Sequence, residues 1–94
     1  MQTYNGWANE ATWRVNMEML DGYDVTDWLN DNRFVFPDDR IEAVEALASH
    51  FEDLVHELVE MDARGFAADL ARDYLRQVDW EEIAAHYIDD HINV

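Results

Sequence analysis

Residues 38–62, DDRIEAVEALASHFEDLVHELVEMD, form the longest amphipathic pattern in this 94-residue chain. Apolar side chains recur there three and four positions apart, the spacing that places them on one face of an α-helix. Pro37 stands near the first turn, and Asp38 and Asp39 suit the positive end of the helix dipole. The sequence therefore predicts one long helix to about Asp62, with Gly65 as its stop signal. Its expected inward residues are Ile41, Val44, Leu47, Ala48, Phe51, Leu54, Val55, Leu58 and Val59.

A first helix is predicted over residues 10–21, with Asn9 as its N-cap and Gly22 at its end. Its expected inward side chains are Trp13, Met17 and Leu20. Val15 and Met19 lie on another face, so more than half of the circumference is apolar. This helix is therefore expected inside the bundle or against a partner.

Three further helices complete the pattern. VTDWLNDN, residues 25–32, predicts a short helix with Thr26 as its cap and with Trp28 and Leu29 inward. The next amphipathic helix has as its apolar residues Phe66, Leu70, Tyr74, Leu75 and Val78. Asp79 and Glu82 have the spacing of a capping box at the start of the last helix. The apolar face of that helix consists of Trp80, Ile83, Ala84, Tyr87 and Ile88.

These patterns predict an all-α fold, a compact single-domain bundle of four or five helices over residues 1–94 with one long acidic helix. A composition of 49% hydrophobic and 13% aromatic residues is enough to fill one core. FVF, residues 34–36, is the only strand candidate and is too short to stand alone. The absence of cysteine excludes a disulfide framework and thiolate metal sites. With no apolar run of about 20 residues and no leader-like start, a soluble cytoplasmic protein is expected.

Both ends of the chain carry motifs of a known kind. YNGWANEATWRVNMEML, residues 4–20, resembles the opening YNGWxNxxTWxVxxxL of an uncharacterised family of short acidic proteins from phages, plasmids and prokaryotes, halophilic archaea among them. VDWEEIAAHYIDD, residues 78–90, is similar to the usual ending of that family, a helix that contains EIAxH. The resemblance implies a mobile-element context, and it supplies no active site, because no activity is assigned to the family.

Charge is the strongest functional signal. The chain holds 22 acidic residues against six arginines and no lysine, for a net charge of −16. Nine carboxylates and one arginine fall within residues 38–62. Over a helix of that length this is one carboxylate per roughly 4 Å, close to the spacing of about 3.4 Å between phosphates along one DNA strand. Such a chain repels nucleic acid and anionic membranes and attracts basic protein surfaces.

Other constellations have structural interpretations. Trp7, Trp13, Trp28 and Trp80 could stack bases, but a cationic groove is missing, so they are interpreted as core anchors, with Asn5 and Gly6 turning Trp7 back over the first helix. Metal-ligand spacings occur at Asp53 and His56 and at Glu82, His86 and Asp90. No Glu-x-x-His motif, nucleophile elbow or phosphate-binding loop is present, so neither a cofactor, a metal nor an enzymatic activity is expected.

The sequence thus favours a non-enzymatic inhibitor from a mobile genetic element, acting in the host cytoplasm. It would block the nucleic-acid-binding surface of a host defence protein, a CRISPR effector or a restriction enzyme, by nucleic-acid mimicry. The residues predicted to bind this partner are Glu42, Glu45, Glu52, Asp53, Glu57 and Glu60. The main alternative is a small structural or interaction domain from a halophile, whose acidity is solvent adaptation and whose partner binds an apolar patch such as Val15 and Met19. A metal-dependent enzyme using His56 and His86 is a third hypothesis.

Overall fold

Five α-helices form the described part of the chain, residues 6–92 of a computed structural model. They are α1 (Glu10–Val15), α2 (Thr26–Asn32), α3 (Arg40–Asp62), α4 (Phe66–Leu75) and α5 (Trp80–Ile92). A π-helical segment, Asn16–Leu20, continues α1. The all-α bundle with one long helix is therefore confirmed, and FVF forms no strand.

The core lies mainly between α3 and α5. Phe51 and Val55 of α3 and Ile83 and Ile88 of α5 are completely buried. Burying a side chain of this size stabilises the folded state by about 1.5–3 kcal/mol. The inward positions predicted for these two helices are confirmed in their central turns. Ile41, however, is 70% exposed, because it lies in the first turn of α3 at the edge of the buried face.

The first helix begins as predicted and then changes register. Asn9 caps it, since its Oδ1 accepts a hydrogen bond from the Thr12 N–H at 2.8 Å. The π-helical segment widens the turn, so that residues five apart, Val15 and Leu20, are both buried. The prediction that Met17 faces inward is wrong, because this widened turn leaves Met17 45% exposed.

Two residues predicted to mark helix ends have other roles. Thr26 is not a cap but the first residue of α2, and its N–H donates to the Asp24 carboxylate at 2.9 Å. This hydrogen bond lowers the pKa of Asp24. The predicted end of α3 at Asp62 is confirmed, but its C-cap is the extended Ala63 rather than Gly65. Gly65 lies at the start of α4, with φ 60° and ψ −130°, a conformation that favours glycine.

In α4 the predicted apolar face is divided. Leu75 and the following Val78 are buried, as expected, together with Ala68. Phe66 and Leu70 are 76% and 54% exposed, so their predicted inward position is wrong. Helical spacing correctly predicts that Phe66 and Leu70 lie on one stripe of α4. The side of α4 that packs against the core, however, is the one that carries Ala68 and Leu75.

Hydrogen bonds join the N-terminal segment to the start of α5, and we call this set the N-terminal junction. The Ala8 N–H donates to Glu82 Oε1 at 2.9 Å, and Asn9 Nδ2 donates to the Gln77 carbonyl at 2.7 Å. Completely buried Thr12 accepts from the Asp79 N–H at 2.8 Å, and its hydroxyl donates to Asn9 Oδ1. The Trp7 ring lies 4.3 Å from the His86 ring of α5, whereas the predicted turn at Asn5 lies outside the described residues.

A second link joins the start of α3 to the end of α5. Arg40 donates to both carboxylate oxygens of Asp89, at 2.8 and 2.9 Å. The guanidinium lowers the pKa of the Asp89 carboxyl through these hydrogen bonds. Both side chains are about two-fifths exposed, so solvent screens part of the attraction.

Replacing Thr12 by Val keeps the shape of the side chain and removes its hydroxyl. We expect the free energy of unfolding to fall by about 1–3 kcal/mol, because the Asp79 N–H and Asn9 lose their partner. Urea denaturation followed by circular dichroism measures this change. Ser49→Ala, which removes an exposed hydroxyl, should change the free energy by less than about 0.5 kcal/mol. A Thr12→Val variant as stable as the parent would contradict the role of the junction.

Asp89→Asn should destabilise the protein at neutral pH. A carboxyl whose folded pKa is lowered contributes stability above its unfolded pKa of about 3.9, and that stability is lost as the pH falls through the folded value. The difference in melting temperature between parent and variant should therefore shrink as the pH is lowered below about 3.9. Asp90→Asn, a neighbouring exposed position, is the matched control and should show no such pH-dependent difference. Equal pH profiles for the two variants would be the contradicting result.

Candidate functional site

The six predicted partner-binding carboxylates lie together on the outer side of α3. Every one of these residues is exposed. The buried residues of α3, such as Leu47 and Phe51, occupy the opposite side of the helix. We call this set the acidic face; its members are Glu42, Glu45, Glu52, Asp53, Glu57 and Glu60. The structure therefore places them on one surface, as their spacing predicts.

Most of these charges have no compensating cation. Within residues 6–92, Glu60 is the one member of the acidic face with an ion pair, to Arg72 of α4 at 3.9 Å. The Arg40 guanidinium, on the same helix, is directed to Asp89 of α5. The remaining carboxylates are therefore left to water and to any cationic partner.

Observed helix bounds reduce the expected charge density. Asp38 and Asp39 precede α3, and Asp39 accepts a hydrogen bond from the Val35 N–H at 2.8 Å. The helix itself carries seven carboxylates over 23 residues, or one per roughly 5 Å of axis. This is looser than the phosphate spacing of about 3.4 Å along one strand. The spacing of carboxylates along α3 therefore resembles the spacing of phosphates along one DNA strand less closely than the sequence predicts.

A cleft lies beside the widest gap in this row. Glu45 and Glu52 are seven residues apart, or roughly 10 Å along the axis, and no other acid lies between them. Across the gap, the start of α5 contributes Asp79, Trp80 and Glu81. The resulting cleft has a volume of about 540 Å³. Its lining residues are Glu45, Ala48, Ser49, Glu52, Gln77, Val78, Asp79, Trp80 and Glu81.

Trp80 gives this cleft a flat aromatic wall. The residue is partly buried, and its ring centroid lies 6.5 Å from that of His56. Asp79 fixes the start of α5, because its Oδ1 accepts from the Glu82 N–H at 3.1 Å. The predicted capping box is thus confirmed in this half only, since Glu82 turns to Ala8 instead. An aromatic face with carboxylates around it is suited to a guanidinium group.

Sequence reasoning missed the role of α5 at this site. The excess of acids in residues 79–94 was visible, but Asp79 and Glu81 were not assigned to the same surface as Glu45 and Glu52. Only the packing of α5 on α3 places them there. The remaining tryptophans fit the predicted structural role: Trp7 and Trp28 pack against the core, and Trp13 is partly buried.

His50, His56 and His86 lie at three different places in the bundle, each beside a different aromatic residue. His50 is hydrogen-bonded to the Tyr23 hydroxyl at 3.0 Å and stacks on Trp28, while His56 lies near Trp80 and His86 against Trp7. Within the described range, no three His, Asp or Glu side chains are placed to hold a metal ion. The predicted ligand spacings at His56 and His86 therefore do not converge on one centre.

A second depression has a different character. It has a volume of about 350 Å³ and separates the first helix from α4. We call it the apolar groove; its lining residues are Val15, Met19, Val59, Ala71, Tyr74 and Leu75, with Arg14 and Glu18 also contributing. Val15 is buried in its floor, so the apolar patch suggested by Val15 and Met19 exists as a groove rather than as a raised surface. The Tyr74 hydroxyl is buried without a hydrogen-bond partner among the described residues.

Across residues 6–92, none of the helices is both long and apolar enough to span a membrane. A comparison with family models, with characterised proteins and with solved structures finds no match for this chain.

Proposed function

We propose that this protein is a non-enzymatic inhibitor from a mobile genetic element that occupies the nucleic-acid-binding surface of a host defence complex, a CRISPR effector or a restriction enzyme. The acidic face supports the proposal, because it presents carboxylates from a continuous 23-residue helix and most of them lack an internal partner. A helix held by a buried core offers these charges at fixed spacing. A preorganised array loses little entropy when a partner binds.

In this mechanism carboxylates take the place of phosphates. Long-range attraction between the net charge of −16 and a basic channel accelerates the encounter. Arg and Lys side chains of the target then pair with the acidic face. The cleft beside Trp80 accommodates one Arg guanidinium against the ring, between the carboxylates of Glu45, Glu52 and Glu81. The body of the bundle excludes nucleic acid sterically.

The context of a mobile element comes from the resemblance of the two chain ends to the acidic family. The described parts of these two motifs contact each other, because Ala8 and Thr12 bond to Glu82 and Asp79. Asn9 bonds to Gln77, which directly precedes the second motif. The same contacts orient the start of α5, where Trp80 and Glu81 border the cleft. The two motifs therefore act together to fix the start of α5, which forms one side of the cleft in the proposed binding surface.

The acidic face can be tested by removing charge without removing helix. Glu and Gln have similar helix propensities, so a Glu45→Gln, Glu52→Gln, Glu60→Gln triple variant should remain folded. We expect it to compete less well with labelled DNA for a panel of CRISPR effectors and restriction enzymes. Inhibition by the parent should also weaken as salt is raised.

The matched control removes three charges elsewhere. Asp27→Asn, Asp31→Asn, Asp90→Asn changes exposed residues outside the acidic face and should retain most of the inhibition. Equal competition by the two triple variants would mean that net charge, rather than this face, drives binding. If no complex in the panel binds the parent, the proposed function is wrong.

A halophilic interaction domain is the second candidate function. It is favoured by the spread of exposed carboxylates beyond α3, such as Asp27 and Asp31 on α2 and Asp69 and Asp73 on α4. Solvent adaptation needs acids over the whole surface, whereas a binding surface needs them in one place. The net charge of −16 alone does not distinguish these functions.

Salt dependence of folding distinguishes the two candidates. Repulsion between helix neighbours such as Asp53 and Glu57 costs about 0.2–0.5 kcal/mol a pair, which is small beside the burial of the core side chains. Under the inhibitor proposal we therefore expect cooperative melting already at about 0.1 M salt. Calorimetry across a salt series measures this. Unfolding in dilute buffer with steep stabilisation toward molar salt would instead favour the halophilic domain.

A further inference from the structure

The surface of α4 carries an exposed apolar ridge directly beside the apolar groove. Phe66 and Leu70, four residues apart, form the ridge and are 76% and 54% exposed. Tyr74, four residues further on, continues the same stripe and lines the groove together with Ala71 and Leu75. Ridge and groove are therefore parts of one surface on one helix.

Such a surface is complementary to itself. In a twofold dimer the same patch is used on both subunits, so a protrusion of each must meet a depression of the other. Two α4 helices packed side by side in opposite directions place the Phe66 and Leu70 ridge of one copy over the groove of its partner. The groove, of about 350 Å³, is large enough to receive apolar side chains of this kind.

Charge selects a second copy over a basic partner at this surface. The whole chain carries −16, but residues 65–78 are neutral, because Asp69 and Asp73 are balanced by Arg72 and Arg76. Two copies would repel each other across the acidic face, whereas at α4 they meet without excess charge. An antiparallel arrangement also brings arginines of one copy toward aspartates of the other. A basic protein, in contrast, gains more at the acidic face.

We propose that this protein forms a homodimer through α4, by mutual insertion of the Phe66 and Leu70 ridge into the apolar groove. The ten residues of α4 are about 15 Å long, so the interface is small, below about 1,200 Å². An interface of this size is at the lower end for specific protein contacts, so the dimer is expected to be weak. The acidic face meets this interface only at Glu60, which pairs with Arg72 of α4, so dimerisation is proposed independently of the inhibitory function.

Sedimentation velocity of the full chain from roughly 5 µM to 1 mM tests this proposal. The parent should shift from monomer to dimer, and Phe66→Gln, Leu70→Gln should raise the dissociation constant at least about tenfold. The matched control, Val35→Gln, Ile41→Gln, changes two exposed apolar residues, 63% and 70% exposed, away from α4 and should dimerise like the parent. Circular dichroism verifies that both variants remain helical.

The salt dependence of dimerisation is a second test, because it should be opposite to the salt dependence of binding to a basic target. Raising salt from about 0.01 to 0.5 M screens the repulsion between two acidic chains, so dimerisation should strengthen, whereas binding to a basic target should weaken. Hydrogen exchange at high concentration should slow in residues 66–75. A parent that stays monomeric at roughly 1 mM in both salts overturns the proposal. Equal loss of dimer in the ridge and control variants also overturns it.

Discussion

Thr12 is the residue through which the two ends of the chain are joined. Its buried hydroxyl accepts a hydrogen bond from the Asp79 N–H and donates one to Asn9, which in turn caps α1 and bonds to Gln77. The side chains of Asn9 and Thr12 therefore accept hydrogen bonds from backbone N–H groups at the starts of α1 and α5, which are almost 70 residues apart in sequence. Hydrogen-bonding groups are costly when they are buried unpaired, so each of these two helix starts stabilises the other. This constraint closes the bundle around α3.

The position of the candidate site follows from that closure. The junction fixes the start of α5 against the first helix, and the pair between Asp89 and Arg40 holds its end on α3. Trp80 and Glu81 consequently stand opposite the gap between Glu45 and Glu52. The cleft is thus a product of tertiary packing, and the N-terminal motif contributes to it without touching it. Preorganisation of this kind lets exposed carboxylates act as a surface of defined shape rather than as a diffuse charge.

Sequence periodicity was sufficient for the helices because burial follows the helical repeat directly, as in Phe51 and Ile83. Periodicity was misleading where the packing of other helices or a local change of helix type decides which side chains are buried. Phe66 and Leu70 have the spacing of an inward face, but Ala68 and Leu75 take that side. The π-helical segment buries Val15 together with the predicted Leu20 and leaves Met17 exposed. For the site, the acidic face could be predicted from α3 alone. Its completion by Asp79, Trp80 and Glu81 could not, since it depends on a contact between distant segments.

The distribution of charge separates two kinds of surface on this small bundle. Arginines concentrate on and around α4, where they balance Asp69 and Asp73, and the apolar groove and ridge lie at that neutral side. On α3 most carboxylates of the acidic face have no ion pair within residues 6–92. An unpaired row of like charges weakens its own helix slightly, and an apolar stripe leaves area uncovered, so both surfaces have a cost in the isolated fold. The two proposals account for that cost by a cationic contact at α3 and an uncharged contact at α4.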